Sequence, residues 1–278
     1  MNYRHAFHAG NFADVVKHVL LVMIVEHLKA KDKAFRVYDT HAGRGRYDLG
    51  AEEARRTGEA AEGILQLLGS PAALAPELQT YLSIVTAEGK AVYPGSPLIV
   101  RRLLRKQDRL SAYELHPEDA KALAALFAGD IKVKTIALDG WLALGAHLPP
   151  KEKRGLVLID PPFEQADEDD RIVEGVTAAH RRWAGGTYAI WYPIKRRAER
   201  ARLHAGLKAS GIPKILAAEF FREPFAAEDR LVGSGLVVIN PPFTFAADAA
   251  RVMAILKQVL AKAGQGSAEI VAISGERP

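Results

Sequence analysis

The sequence predicts a doubly wound α/β fold built on a seven-stranded, mostly parallel sheet whose last strand runs antiparallel. Three observations carry that prediction. Short runs rich in Val, Ile and Leu recur seven times along the chain. Helix-length stretches, for instance residues 117–128 and 171–183, separate most of them, and strands alternating with helices are laid down in parallel. Between Phe221 and Ser234 lies only REPFAAEDRLVG, which is short and turn-like, so the last two strands form an antiparallel hairpin.

The first element is a helix. From Asn11, residues Phe12, Val15, Val16, Val19, Leu20, Met23, Ile24 and Leu28 share one face, and Asn11 with Asp14 three residues later reads as its N-cap. Lys17 and His18 fall on a neighbouring face, where they can look into a cleft while the apolar stripe is buried. That this helix and the tail before it, residues 1–30, cover the cleft is an expectation that rests on the family resemblance given below. FRVYD, ending at Asp39, is the first strand. The next, LSAYE, ends only at Glu114, whereas a βαβ unit carries its second acidic strand end about 20 residues past the glycine turn. The excess, residues 51–92, is helix-like and broken by Gly69, Pro71 and Pro76. We read it as a helical insertion within a single domain spanning residues 1–278. VKTIAL before Asp139, LVLID ending at Asp160, TYAIWY ending at Tyr192, KILAAEFF after Ile212 and LVVIN ending at Asn240 complete the set.

The 278 residues are 49% hydrophobic and 26% charged, which supplies ample core and no disordered composition. A formal charge of +5 suits a polyanionic partner without requiring one. The absence of cysteine removes disulfides, thiolate metal sites and thiol nucleophiles. No signal-like stretch opens the chain, and VLLVMIV, residues 19–25, is too short to span a bilayer. The expectation is a cytoplasmic protein with no membrane contact.

Residues 39–50, DTHAGRGRYDLG, follow the first strand directly. Gly43 and Gly45 permit a tight turn and close approach of a ligand to the backbone, and an acid at the strand end can accept hydrogen bonds from it. A strand-to-loop turn with no ligand explains the glycines alone equally well. The order of acids favours a ligand: Glu114 suits ribose hydroxyls, and Asp139 followed by Gly140 suits an adenine amino group. No phosphate-loop pattern is present, and Asp48 stands where a dinucleotide fingerprint needs its third glycine.

GLVLIDPPFEQ, residues 155–165, is echoed by GLVVINPPFTF, residues 235–245. An adenine's exocyclic amine is a poor nucleophile because its lone pair is delocalised into the ring. An Asp or Asn oxygen and the first proline's carbonyl can accept from both of its hydrogens, held rigid by consecutive prolines, while the following aromatic stacks on an extruded base. Both copies satisfy this chemistry, so connectivity must choose. Asp160 ends a strand parallel to that of Asp39, and their carboxyl ends open on one crevice. The hairpin turns Asn240 to the opposite edge. Asp160 with Pro161 and Phe163 is therefore the candidate catalytic group, and the second copy is structural. The acidic EQADEDD that follows reads as a solvent-exposed loop.

YRHAFHAGNFADVVKH, DTHAGRGRYDLG, YPGSPLIVRRLLRKQD, ELHP, LIDPPFE, WYPIK and GLVVINPPF together closely resemble the RlmJ family of bacterial 23S ribosomal RNA adenine-N6 methyltransferases, in order and over nearly the whole chain. The resemblance implies a class I, Rossmann-like methyltransferase fold and S-adenosyl-L-methionine as cofactor. It places cofactor contacts at His18, His41, Ser96, Glu114, Asp139, Gly140 and Asp160, beside the cofactor-side turn at Gly43 read above, and catalysis at Asp160. It casts Tyr3, His5 and Lys17 as residues facing the substrate RNA. Where the family carries tyrosine after the two prolines, this chain has Phe163, which keeps the stacking ring and loses the hydroxyl.

Other features carry less. His5, His8 and His18 do not follow a metal-ligand spacing, and no metal is expected. RRLLRK (residues 101–106) and KRRAERAR (residues 195–202) can contact phosphates or be solvated helix faces. Trp191 and Tyr192 end a strand beside the crevice or pack in the core. An adenine-N6 DNA methyltransferase shares the same site chemistry, and a non-catalytic RNA-binding or ribosome-assembly factor could keep the fold. An intact DPPF speaks against the latter.

Overall fold

The computed structural model describes residues 5–89, 91–226 and 229–276. Helix α1 (Phe12–Lys29) comes first, followed by β1 (Arg36–Asp39) and β2 (Arg46–Asp48). Three short helices then run through the segment read as an insertion: α2 (Glu52–Thr57), α3 (Ile64–Leu68) and α4 (Gln79–Ala87). β3 (Val92–Pro94) returns to pair with β2, with Tyr47 opposite Tyr93, so that a two-stranded ribbon ties the two ends of the segment together. The alternation resumes as α5 (Ser96–Leu103), β4 (Arg109–Tyr113), α6 (Pro117–Leu126), β5 (Val133–Ile136), α7 (Trp141–Ala146), β6 (Gly155–Ile159) and α8 (Glu168–Arg182). It ends with β7 (Thr187–Ile194), α9 (Arg197–Ala209), β8 (Ile215–Phe221), β9 (Gly233–Ile239), α10 (Phe245–Leu260) and β10 (Ser267–Ser274).

The main sheet has eight strands in the order β10-β8-β9-β7-β6-β1-β4-β5. β5, β4, β1, β6 and β7 are mutually parallel, and β9 is antiparallel to both β7 and β8. The seven strands read from the sequence are all present, and β9 is the antiparallel one. The expected count is corrected by one: β10 adds an edge strand antiparallel to β8. Its sequence, SAEIVAIS, has three polar residues in eight and is only partly buried, as suits an edge that packs on one side only.

Parallel strands are covered on both faces, which is why they read as unbroken apolar runs. All five residues of β6 are buried. Leu156 and Leu158 join a core with α1, α5 and α10, while Val157 and Ile159 join a second core beneath α7, α8 and α9. Each such side chain contributes about 2 kcal/mol by leaving water, so the strand is a fixed platform. The chain passes outward from β1 to β5 and returns to β6 on the other side of β1, and that reversal opens a crevice at the carboxyl ends of β1 and β6. Asp39 and Asp160 stand on its two sides.

Asn240 lies at the other edge. Ile239 pairs with Tyr188 near the start of β7, and the Asn240 amide donates to the carbonyls of Ala184 (2.7 Å) and Gly186 (2.8 Å). The second PPF stretch thus closes a loop. The acidic run after Phe163 needs a correction too. Its last residues form the first turn of α8, where Glu168 and Asp169 are buried and Arg202 of α9 holds Asp169 at 2.8 Å; this partner removes the need for solvent. No helix among the described residues is long and apolar enough to cross a membrane.

Candidate active site

The Asn11 side chain caps α1 by accepting from the Asp14 backbone N–H at 2.8 Å, which fixes the first turn over the crevice. That turn delivers Asp14, Lys17 and His18. The Lys17 ammonium sits 2.6 Å from Asp160 Oδ2 and 3.0 Å from Asp14 Oδ1, with only 4% of its side chain exposed. Asp14 also accepts from the Gly10 backbone N–H and meets His5 Nε2, each at 2.9 Å. Burial opposes the charge on Lys17, but the two carboxylates outweigh it and raise its pKa above the ordinary lysine value. Burial likewise opposes the charge on Asp14, yet His5 and Lys17 hold its carboxyl well below the usual range. One ammonium is thus shared between two carboxylates, and His5 is the second partner of Asp14. Asp160 Oδ1 has no hydrogen-bond partner among the described residues and is the oxygen left for a ligand.

Asp160 heads a cavity of about 470 Å³ that also reaches the ends of β1, β4 and β5. Gly43, at φ 59°, donates its backbone N–H to Glu114 Oε2 at 2.7 Å, and His116 donates to Oε1 at the same distance. The left-handed turn at Gly43 is what points that N–H at the acid. Burial raises the Glu114 pKa. Asp139 accepts from the Trp141 backbone N–H at 3.0 Å and pairs with Arg171 at 2.9 Å, whose guanidinium lies 4.9 Å from the Trp141 ring centre. Gly140 has no space for a side chain, since a Cβ there would meet the Thr40 carbonyl at 1.7 Å. His41 bonds Thr40 Oγ1 at 2.8 Å through Nδ1, and burial lowers its pKa to about 4. Ser96, opening α5, donates to Asp39 Oδ2 at 2.7 Å. Asp39 is fully buried, its Oδ1 has no partner among the described residues, and burial pushes its pKa up to about 7.

On the outer side, Pro161 and Phe163 continue from Asp160 along the cavity wall. Phe163 has φ 52°, a conformation unusual for a non-glycine residue and held here by packing: its ring meets Trp191 edge-on at 5.7 Å. Trp191 in turn donates to Ser234 Oγ at 2.9 Å, and Lys17 lies 5.3 Å from its ring centre. Strand alternation settles the Trp-Tyr pair: Trp191 lines the cavity, whereas Tyr192 is buried on the other face against Glu219. His5 lies on the cavity wall, its ring edge-on to Tyr47 at 5.1 Å. Tyr3 lies outside the described residues. The basic clusters are largely consumed by the fold, through Arg101 with Asp130, Arg102 with Glu88, Arg105 with Asp108 and Arg200 with Glu219. Lys195 alone among them lines the cavity. Among the described residues no group of three or more histidines and acids is placed to hold a metal ion.

Residues 32–273 match the family described as "Ribosomal RNA large subunit methyltransferase D, RlmJ". The chain belongs to this family. It is 43% identical to ribosomal RNA large subunit methyltransferase J of Escherichia coli over 274 residues, covering 97% of this chain and 98% of that one. Against the Haemophilus influenzae protein of the same name it is 43% identical over 272 residues, 96% of each. A crystal structure of a Legionella pneumophila protein superposes with a TM-score of 0.89 at 34% identity, covering 97% of this chain and 99% of that chain. Membership in RlmJ makes the fold that of a class I methyltransferase and the protein a ribosomal RNA methyltransferase.

Within this RlmJ chain, sequence reasoning passed over several residues of the site. Asp14 reads as a capping residue and proves to be half of the Lys17 clamp. Glu59, from the segment after α2, meets His8 Nδ1 and the Asn11 amide, each at 2.9 Å, and so ties the tail and the α1 cap to that segment. Trp141 had no signal beyond its position after Asp139-Gly140.

Proposed function

We propose that this protein transfers the methyl group of S-adenosyl-L-methionine to the N6 amine of an adenine in 23S ribosomal RNA, acting in the cytoplasm. Beyond family membership, the observation that carries the reading is Asp160: it stands at the crevice with one oxygen clamped by Lys17 and the other without a hydrogen-bond partner among the described residues, while the rival Asn240 is tied into a loop on the opposite edge. The residues present fit the cofactor. Gly43 and Gly140 pack so closely against the Tyr47 hydroxyl and the Thr40 carbonyl that no side chain fits, which sets the backbone edge of the cavity, and Asp39 offers a buried oxygen without a partner among the described residues. His18, His41, Gly43, Ser96, Glu114, Asp139, Gly140 and Asp160 would hold it, the acids taking its amine and hydroxyl donors. When bound, it supplies an electrophilic methyl on a sulfonium.

The chain's own residues then do the following. Phe163 and Trp191 present an aromatic wall on which a flipped base stacks. Asp160 Oδ1 accepts one hydrogen of the target amine and the Pro161 carbonyl the other, which draws the lone pair out of the ring and aims it. The Asp160 carboxylate stabilises the positive charge that grows on nitrogen. Lys17 stays protonated and cannot serve as base, so Asp160 Oδ1 is the protein acceptor for the proton that leaves. His5, on the cavity wall, would face the substrate RNA, the role the family resemblance also gives Tyr3.

Incubation with labelled cofactor and 23S RNA from cells lacking the enzyme, followed by mass mapping, tests the proposal. Label on the N6 of one adenine is expected. Transfer to duplex DNA in preference to RNA, or to no nucleic acid at all, would overturn it.

A further inference from the structure

Tyr81 on α4 and Tyr93 on β3 contribute no part of the cavity wall, yet their hydroxyls form a chain that ends on the wall at His18. The two hydroxyl oxygens are 3.0 Å apart, and that of Tyr93 lies 2.7 Å from His18 Nδ1. The Tyr93 ring stacks beside the imidazole at 5.6 Å, and all three residues are 1% exposed or less. Neither hydroxyl has another partner among the described residues.

Counting hydrogens gives the direction of this chain. Two links can hold two hydrogens. If Nδ1 carried one, three hydrogens would compete for two links, and one would be left unsatisfied in a dry interior, which is costly. If Nδ1 is bare, Tyr81 donates to Tyr93, Tyr93 donates to Nδ1, and no hydrogen is wasted. We infer that this relay fixes His18 as the neutral tautomer with its hydrogen on Nε2, facing the cavity as a donor, which makes Tyr93 and Tyr81 positioning residues for the cofactor. Burial independently keeps the ring neutral, lowering its pKa to about 3, as does the neighbouring Lys17 charge. Resting on the methyltransferase reading, an Nε2–H donor selects an acceptor on the cofactor. The amino-acid carboxylate is the acceptor that carries charge, and the cavity's acids are unsuited to it.

The test starts without ligand. Nitrogen-15 spectra of the histidine side chains, with His18 assigned by loss of its signals in His18→Gln, should show Nε2 protonated and Nδ1 bare; a proton on Nδ1 overturns the inference. Calorimetry then compares Tyr93→Phe with the parent. The variant should bind S-adenosylmethionine about 10-fold more weakly and its decarboxylated analogue as well as the parent does. Equal weakening toward both ligands overturns the carboxylate assignment. If the parent binds neither ligand while Nε2 is protonated, the functional reading fails and the tautomer stands.

Discussion

Replacing Lys17 with methionine keeps the length of the side chain and removes the one cation shared by Asp14 and Asp160. Each pairing, at 2.6 and 3.0 Å, is worth about 6 kcal/mol of Coulomb attraction at an effective dielectric constant of about 20. Desolvation of the buried Lys17 and Asp14 and the partly buried Asp160 offsets much of that. Breaking such a cluster by deleting one partner, which leaves the others uncompensated, costs about 3–5 kcal/mol. The pH dependence has a definite sign. Lys17 has a raised folded pKa, so its contribution is complete below the ordinary lysine value and is lost only as pH rises through the folded value. Asp14 has a depressed one, so its contribution exists above the ordinary carboxylate value and is lost as pH falls through the folded value. Without Lys17 that folded value climbs, and the acid unfolding midpoint of Lys17→Met moves to higher pH. Urea unfolding near pH 7.5, with an acid titration followed by tryptophan fluorescence, measures both. A loss under about 1 kcal/mol with an unmoved acid midpoint would refute the claim that these three groups form one energetic unit.

Other consequences follow from single contacts. Asn240→Ala should lower stability by about 2 kcal/mol, because two carbonyls lose their donor and alanine must adopt φ 51°; thermal unfolding checks it. Gly140→Ala should weaken cofactor binding by about 10-fold or more in calorimetry, since its Cβ would drive into the Thr40 carbonyl. The Glu59 hydrogen bond raises the His8 pKa, so this pair stabilises the tail below the ordinary histidine value and is lost as pH rises through the raised one. Glu59→Gln should bring the His8 titration, followed by proton NMR, down toward or below pH 6.5.

The parts of this fold that were legible are those that local chemistry writes into the chain. An apolar run closed by Asp39, Glu114 or Asp160 shows both a buried strand and the residue at its end. The length of the link between Phe221 and Ser234 decides that Asn240 faces the other way. What was illegible depends on partners far off in sequence. Lys17 and Asp160 are 143 positions apart, and their contact exists because α1 lies across the crevice. Glu168 and Asp169 read as a solvated acidic run, since nothing nearby announces that Arg202 will cover Asp169. Tyr81 and Tyr93 look like core aromatics, and their hydroxyls matter only because His18 ends the chain. β10 escaped because an edge strand with polar residues at both ends and at Glu269 shows only a short apolar run.

The account turns on what one free carboxylate oxygen does at the head of the crevice. Its most direct test is single-turnover methyl transfer to unmodified 23S RNA by Asp160→Ala and Asn240→Ala, each checked for cofactor binding. We expect the first to lose on the order of 10³-fold or more in rate and the second to stay within about threefold of the parent. Transfer that survives loss of the Asp160 carboxylate but fails without the Asn240 amide would place the chemistry at the other edge of the sheet.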